Sequence, residues 1–332
     1  MRTFVTGSTG LLGNNLVRTL LEAGHEVVAL ARSKDKAARE LADTSARIVI
    51  GDMDNVAGFA AALSGIDVVF HAAAFFREYY APGDHSHSID RINVNATLEL
   101  ARAAQQRGVA KMINTCSAGI IGLRRDGSAG DESTPPWPRF EKNLYLQSKR
   151  KAERLLLRLS QEKGFFIASA LPAWLWGPHD AAPTASGQLA FDAIRRRLPP
   201  AIPPGGSSVA DARDVALGML RIAEIGRSGE RYILSGRFVE LAEIVAGLAT
   251  LTDQKAPQLR LPFPAALALA AGAETWSRIT RQPSALSIEG IRLMNACLAV
   301  TAEKAQRELG VTFRPFEDTL ADTVAWSKTR LQ

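Results

Sequence analysis

The chain has 332 residues, which is enough for one large α/β domain and a smaller lobe. Its composition, with 46% apolar and 22% charged residues, excludes intrinsically disordered, collagen-like and disulfide-scaffold proteins. The formal net charge of +6 is spread along the chain, and the densest basic run, Arg195, Arg196 and Arg197, has no interleaved aromatic residues, so no nucleic-acid partner is predicted.

The basic run has two other interpretations, a solvated helix face or help in holding an anionic cofactor or substrate. Cys116 and Cys297 lie far apart and fit no metal-ligand spacing, so no metal site is predicted. The chain starts with a strand pattern and without the features of a secretory signal, which predicts a cytoplasmic protein. The most apolar window, residues 263 to 273, is shorter than the ~20 residues of a bilayer span and predicts a core or interfacial helix.

In chain order, short apolar and β-branched runs predict buried parallel strands. They occupy residues near 3 to 7, then 26 to 31, 46 to 52, 67 to 74, 111 to 117 and 165 to 173. Helical patterns of crossover length separate them, which predicts an α/β fold: a Rossmann-type doubly wound parallel sheet with a smaller, mostly helical C-terminal lobe. The expected dinucleotide-binding domain comprises residues 1 to 176 and 209 to 236, and the expected substrate-binding lobe comprises 177 to 208 and 237 to 332.

The first predicted loop, TGSTGLLG, lies between a strand and a helix. Its glycines let the backbone turn tightly and approach a phosphate, while the N-terminus of the helix presents N–H groups to the anion. A plain glycine-rich turn is the alternative, but the position directly after the N-terminal strand favours a phosphate loop. The residues predicted to bind a dinucleotide here are Gly7, Ser8, Thr9, Gly10, Leu11, Leu12 and Gly13.

The end of the second predicted strand indicates which dinucleotide binds. An NAD-binding protein usually carries an acid there for the ribose hydroxyls, whereas this chain has Ala31 followed by Arg32. A guanidinium pairs well with a 2′-phosphate, so NADP is favoured and NAD is still allowed, with Lys36 as a candidate helper. A merely solvated arginine is the alternative.

Two further segments are candidates for contacts to the same dinucleotide. Asp52 and Met53, in GDMDN, occupy the place where such folds put an adenine contact. The small residues of HAAA, namely Ala72, Ala73 and Ala74, would let the cofactor lie against the backbone, although simple close packing also accounts for them.

Tyr145 and Lys149 stand four positions apart in a predicted helix. Positions 145, 149, 152, 156 and 159 follow a helical spacing that faces inward, so both polar groups lie on the apolar face. A free tyrosine has a pKa of ~10, and lowering it to near neutral pH needs roughly 4 kcal/mol, which a nearby ammonium group can supply. Ser117, at the end of the fifth predicted strand, is then a candidate for binding the reacting oxygen.

The series TGSTGLLG, GDMDN, HAAA, NVNAT, TCSAG and YLQSK resembles the extended short-chain dehydrogenase/reductases of the NAD-dependent epimerase/dehydratase family, over nearly the whole chain. The later segments resemble the branch that holds dihydroflavonol-reductase-like enzymes and hopanoid-associated sugar epimerases. The resemblance implies that Tyr145 is the general acid/base, that Ser117 orients the oxygen, and that Lys149 tunes Tyr145 and binds ribose. It also implies that Asn93 and Pro172 lie near the nicotinamide.

By the same resemblance, hydride passes between nicotinamide C4 and a carbon of a small-molecule carbonyl, alcohol or sugar, and a homodimer is compatible with the family. Sugar-nucleotide dehydratases would carry Thr-Asp-Glu where this chain has Ser117, Ala118 and Gly119. Nucleotide-sugar epimerases would carry an arginine at Ser207 and a histidine at Asp211, although the run at 195 to 197 could bind a diphosphate instead. A reductase or dehydrogenase is therefore favoured, with a nucleotide-sugar epimerase as the alternative and a non-catalytic NADP sensor as a third hypothesis.

His179, in GPHD, is predicted to be a loop residue rather than an acid catalyst, because the cysteine that accompanies such an acid in a related branch would stand at Gly119. An aromatic substrate mouth is a further hypothesis, with a solvated loop as its alternative. The residues concerned are Phe75, Phe76, Tyr79, His85 and His87.

Overall fold

The computed structural model describes residues 1–76, 85–138, 141, 143–280 and 286–331. Its strands, in chain order, are β1 Arg2–Thr6, β2 Glu26–Ala31, β3 Arg47–Ile50, β4 Val68–His71, β5 Lys111–Thr115, β6 Phe166–Pro172, β7 Trp174–Trp176, β8 Ala201–Ile202, β9 Gly206–Asp211, β10 Arg231–Leu234, β11 Phe238–Glu240 and β12 Leu259–Arg260. Seven of them form one parallel sheet in the order β10-β6-β5-β4-β1-β2-β3. The predicted doubly wound fold is confirmed.

The helices lie on both faces of this sheet and in the lobe beyond it. They are α1 Leu11–Glu22, α2 Lys34–Glu40, α3 Val56–Phe59, α4 Ser86–Ile89, α5 Thr97–Gln106, α6 Leu144–Lys163, α7 Ala185–Ile194, α8 Ala212–Ile225, α9 Leu241–Leu251, α10 Phe263–Thr280, α11 Ile288–Asn295, α12 Glu303–Leu309 and α13 Phe316–Thr329. A π-helix, Asp90–Ala96, joins α4 to α5. In the described ranges, no helix is both long and apolar enough to cross a membrane.

Alternate residues of the buried strands point to opposite faces of the sheet. Val5 and Phe70 pack in a cluster with α1, α8 and α12, whereas Phe4 and Val69 pack in a second cluster with α3, α5 and α6. The strands read as continuous apolar runs because both faces of the sheet are covered.

Two predicted strands end earlier than the apolar pattern indicated. β4 ends at His71, because the backbone N–H of Ala73 donates to the Thr6 hydroxyl (3.2 Å) instead of to a neighbouring strand. β5 ends at Thr115, so Ser117 lies in the turn that follows the strand. Both segments leave the sheet at its carboxyl edge, beside the point where the strand order reverses at β1.

The lobe contains short strands that the sequence pattern did not predict. β7, β9 and β11 form a three-stranded sheet, and β8 pairs with β12. Trp176 and Phe316 anchor the core between the three-stranded sheet and helices α7, α9 and α13. Strands of two or three residues in a Pro- and Gly-rich segment leave too little periodicity to detect.

Candidate active site

The glycine loop between β1 and α1 is closely packed at two of its three glycines. Gly7 has φ +68°, and a Cβ there would lie 2.8 Å from backbone atoms of Ala72 and Ala73. A Cβ on Gly13 would lie 2.1 Å from the Gly7 carbonyl oxygen. Side chains at either position would therefore push the loop away from the end of β4 or from α1.

Gly10 has a different environment, because it is exposed and a Cβ there would have only the Gly7 carbonyl oxygen within 4 Å, at 3.4 Å. It is the N-cap of α1 and provides no side-chain hydrogen bond to the first turn, which also lacks acidic residues. A helix start of this kind can accept an anionic phosphate on its N–H groups. The arrangement fits a dinucleotide phosphate.

The side chains around Gly10 are turned inward. The Ser8 hydroxyl donates to the Leu30 carbonyl (2.8 Å), and Leu11 and Leu12 are buried in the protein. Thr9 is half-buried in the loop. Contacts from Ser8, Leu11 and Leu12 to a cofactor would therefore come from backbone atoms.

A buried hydrogen-bonded chain behind the loop was not predicted from the sequence. His71 Nδ1 lies 2.8 Å from the Thr6 hydroxyl, and His71 Nε2 lies 2.9 Å from the Thr97 hydroxyl. Because Thr6 Oγ1 accepts from Ala73 N–H, its own hydrogen is left for Nδ1, which puts the imidazole proton on Nε2. Burial, together with the charge of Lys149, lowers the pKa of His71 to about 3 and keeps it neutral.

The predicted adenosine contacts lie at the carboxyl ends of β2 and β3, which are neighbours in the sheet. Arg32 is exposed and directly follows β2. Asp52 caps a short 3-10 turn by accepting from Asp54 N–H (3.0 Å), and Met53 is buried in the core. Arg32 and Asp52 therefore stand at the same edge of the sheet, and the contact of Met53 to an adenine stays a prediction.

The three predicted catalytic residues meet at the carboxyl end of β5. The α6 helix begins after Asn143, whose side chain accepts from Leu146 N–H (2.9 Å), so Tyr145 and Lys149 occupy its first two turns. Tyr145 packs against the cluster that contains Ala118 and Leu146, beside the turn that starts at Ser117. The Ser117 hydroxyl oxygen accepts from Gly119 N–H (3.2 Å).

Lys149 is buried and its ammonium group has a well-defined position. Its Nζ donates to the Thr115 carbonyl (2.7 Å) and lies 5.9 Å from the centroid of the Tyr145 ring. In the part of the chain that the structure describes, no carboxylate forms an ion pair with it. Burial lowers the pKa of Lys149 to about 8, and burial raises the pKa of the neighbouring Cys116 thiol.

Asn93 lies in the π-helix, and both ends of its amide form hydrogen bonds within the protein. Its Oδ1 accepts from Phe75 N–H (2.7 Å), while Nδ2 donates to the Phe75 carbonyl (3.2 Å) and to the Ser148 hydroxyl (3.0 Å). Ser148 in turn donates to the Tyr145 carbonyl (2.6 Å). Asn93 thus ties the segment after β4 to the catalytic helix, and its contact to a nicotinamide stays a prediction.

Pro172 is buried as the last residue of β6, at the same edge as Ser117. Two of the predicted aromatic residues lie near the site: the rings of Phe76 and Tyr145 are 4.8 Å apart, and those of Phe75 and His85 are 5.6 Å apart. Tyr79 lies outside the described residues. His87 is exposed in α4.

Two positions where nucleotide-sugar epimerases carry an arginine and a histidine are occupied here by Ser207 and Asp211. Both side chains form hydrogen bonds within the protein. Asp211 caps α8 and binds the Arg213 guanidinium (2.7 and 2.9 Å), with Arg314 at 3.6 Å. Burial alone would raise the pKa of Asp211, but the hydrogen bonds from Arg213 and the charge of Arg314 outweigh it and lower the pKa. The Ser207 hydroxyl donates to the Ser208 carbonyl (3.1 Å).

His179 lies beside Trp326 of α13, with ring centroids 5.8 Å apart. Burial and the charge of Arg18 lower the pKa of His179 to about 4. The residues Arg195, Arg196 and Arg197 are exposed beyond the end of α7.

The chain belongs to the NAD dependent epimerase/dehydratase family, whose model matches residues 3–235. It is therefore an enzyme of the extended short-chain dehydrogenase/reductase type, a group that includes dehydrogenases, reductases and epimerases. The family is NAD-dependent.

Two relatives and one solved structure illustrate the range of proteins to which this chain is similar. A protein provisionally assigned as dihydroflavonol 4-reductase from Synechocystis sp. is 33% identical over 97% of this chain and 93% of its own length. Sterol demethylase protein B from Methylococcus capsulatus is 30% identical over 99% of both chains. The crystal structure of a nucleoside-diphosphate-sugar epimerase from Pseudomonas aeruginosa has a TM-score of 0.80 and 25% identity, covering 99% of this chain and 98% of that chain.

Proposed function

We propose that this enzyme is an NADP-preferring reductase or dehydrogenase that acts on a carbonyl or secondary alcohol. The observation that carries the proposal is the buried Lys149 ammonium beside the Tyr145 ring, next to the turn that holds Ser117. A positive charge held there stabilises a phenolate, which is the form of Tyr145 that removes a proton from an alcohol.

In the reducing direction, the Tyr145 hydroxyl donates its proton to the carbonyl oxygen of the substrate, and Ser117 holds that oxygen by a hydrogen bond. A dinucleotide held at the glycine loop would supply the hydride, from nicotinamide C4. Lys149 stabilises the phenolate that forms on Tyr145, and in the oxidising direction each transfer is reversed. The loop around Gly10 and the first turn of α1 would hold the phosphates.

Several features favour this reaction over sugar dehydration or epimerisation. Gly119 stands where a dehydratase would carry an acid. Asp211 is neutralised by Arg213, so it is a poor substitute for a substrate-binding histidine. The names of the relatives, dihydroflavonol 4-reductase and sterol demethylase protein B, support a ketone or an alcohol as substrate.

A nucleoside-diphosphate-sugar epimerase is the second candidate, supported by the similarity to the Pseudomonas aeruginosa structure. Mass spectrometry of the dinucleotide that copurifies, followed by a panel of ketones and secondary alcohols with NADPH, separates the two. A reductase exchanges free NADPH and oxidises it when a substrate is added. Tightly retained dinucleotide, with interconversion of nucleotide sugars and no net oxidation, would instead establish the epimerase.

The preference for NADP rests on Arg32 at the end of β2. Replacing Arg32 by Asp should shift the ratio of the NADP and NAD dissociation constants by roughly 10- to 100-fold toward NAD, because a charged hydrogen bond to the 2′-phosphate is lost and a repulsion is added. Isothermal titration calorimetry with both dinucleotides measures the ratio. Arg39→Asp, an equal charge change at an exposed position of α2, is the matched control. An unchanged ratio in Arg32→Asp would remove Arg32 from the site.

The division into a dinucleotide-binding domain and a substrate-binding lobe, the cytoplasmic location, the homodimer and the absence of a nucleic-acid partner stay predictions. They are independent of the proton chemistry proposed for Tyr145.

A further inference from the structure

The α10 helix carries apolar side chains on both of its sides. Its inner side packs Ala266 and Ala270 against Ile291 of α11. Its outer face carries Leu269, Gly272, Trp276 and Ile279, which recur at helical spacing. The exposed fractions are 53% for Leu269, 66% for Trp276 and 73% for Ile279. Contiguous exposed apolar surface of this kind usually marks a place where another molecule binds.

A group of exposed cations lies next to the start of this helix. Arg196 donates to the Asp253 carbonyl (2.9 Å), which brings the run after α7 against the segment that carries Lys255. The pairing of β8 with β12 then sets Arg260 beside Ile202, three residues before α10 begins. We call this group the basic patch; it consists of Arg195, Arg196, Arg197, Lys255 and Arg260.

Few acidic residues offset these cations. The segments 195 to 202 and 251 to 280 contain two acids, Asp253 and Glu274, and Glu274 accepts a hydrogen bond from Ile288 N–H (2.8 Å). Leu259, with 61% of its surface exposed, stands beside Arg260 in β12. The lobe therefore exposes cations and a large apolar side chain in the segment that leads into α10.

We propose that the outer face of α10 and the basic patch together bind the surface of an anionic lipid bilayer. Tryptophan favours the headgroup level of a bilayer, aliphatic side chains favour the acyl boundary, and each lysine or arginine near an anionic surface adds attraction. The helix lies along the membrane rather than across it, because its inner side is packed on α11.

The membrane-binding surface is one helix away from the proposed catalytic residues. Glu289 of α11 accepts a hydrogen bond from Asn143, the cap of the catalytic helix (3.3 Å). Leu293 of the same helix packs against the same cluster as Tyr145. A bilayer bound to α10 would thus lie on the substrate side of the enzyme.

The test is sedimentation of the full-length protein with vesicles of phosphatidylglycerol and phosphatidylcholine, or of phosphatidylcholine alone. The wild type should sediment with the anionic vesicles, and added salt should release it because salt screens the charges. The double variants Trp276→Gln/Ile279→Gln and Arg195→Gln/Arg197→Gln should each bind at least about tenfold more weakly.

Matched controls change equivalent residues elsewhere. Leu217→Gln/Ile225→Gln alters exposed apolar residues of α8, and Arg154→Gln/Arg158→Gln alters exposed cations of α6. Both controls should bind vesicles like the wild type. Dinucleotide binding should be equal in all variants, which verifies folding and keeps this test separate from the proposed reaction.

Absence of wild-type binding to anionic vesicles at low salt would overturn the proposal, as would equal binding by the wild type and both test variants. Sedimentation velocity tests whether a second copy of this chain binds the outer face of α10 instead. Self-association that Trp276→Gln/Ile279→Gln abolishes, without vesicle binding by the wild type, would assign the outer face to a second copy and likewise overturn the proposal.

Discussion

Replacement of Tyr145 by Phe is expected to lower kcat by roughly 10²–10⁴-fold, which is the usual contribution of a positioned proton donor. The dinucleotide should still bind with nearly wild-type affinity, because the change removes one hydroxyl from a half-buried ring that packs beside Phe76. Steady-state turnover of the identified substrate, with calorimetric titration of the dinucleotide, measures the two effects separately.

Tyr232→Phe provides the matched control, because Tyr232 is fully buried in β10 and its hydroxyl accepts from Arg227 N–H (3.1 Å). That variant should lose roughly 1 kcal/mol of stability and keep its kcat. If Tyr145→Phe turned over like the wild type, the proposed acid/base role of Tyr145 would be wrong.

Replacement of Lys149 by Met should change activity and stability in opposite directions. Turnover should fall, dinucleotide binding should weaken, and the rise of alcohol oxidation with pH should move to higher pH, because the phenolate loses its cationic neighbour. The apoprotein should nevertheless become more stable at neutral pH, because the variant no longer buries an ammonium group that has no carboxylate partner among the described residues.

The sign of this stability effect follows from the pKa of Lys149, which is about 8 in the folded protein and 10.5 as its ordinary value. Between these values the unfolded chain binds more protons, so the free energy of unfolding of the wild type rises with pH. Below about pH 8 both states are protonated and the penalty is complete, on the order of 3 kcal/mol. The advantage of Lys149→Met should therefore be largest near pH 7 and disappear as the pH approaches 10.5.

Urea denaturation of both apoproteins at pH 7 and pH 10 measures this difference. Lys111→Met is the control, because Lys111 also donates to a backbone carbonyl, that of Ala223 (2.5 Å), but at the amino end of β5. It should show no gain in stability at pH 7 and no shift of the pH profile. A Lys149→Met protein that is less stable than the wild type at pH 7 would show that the buried ammonium is well compensated.

Some features of the structure were predictable from the sequence and others were not. The parallel sheet, the position of the glycine loop and the spacing of Tyr145 and Lys149 were predictable, because continuous apolar runs, glycine spacing and helical periodicity are local properties of the chain. Strand ends were less predictable: the departure of the chain after His71 depends on a hydrogen bond to Thr6, far away in the sequence. The short strands of the lobe left no pattern at all.

Local patterns in the chain were enough to predict the fold, the family and the set of residues from which an active site is built. How those residues are used depends on contacts that form in the folded protein. The fold places neutral His71 between Thr6 and Thr97, engages the Asn93 amide with Phe75 and Ser148, and brings Arg196 against the segment that carries Lys255. Each of these arrangements joins side chains that are far apart along the chain, and neither periodicity nor motif spacing carries information about such contacts.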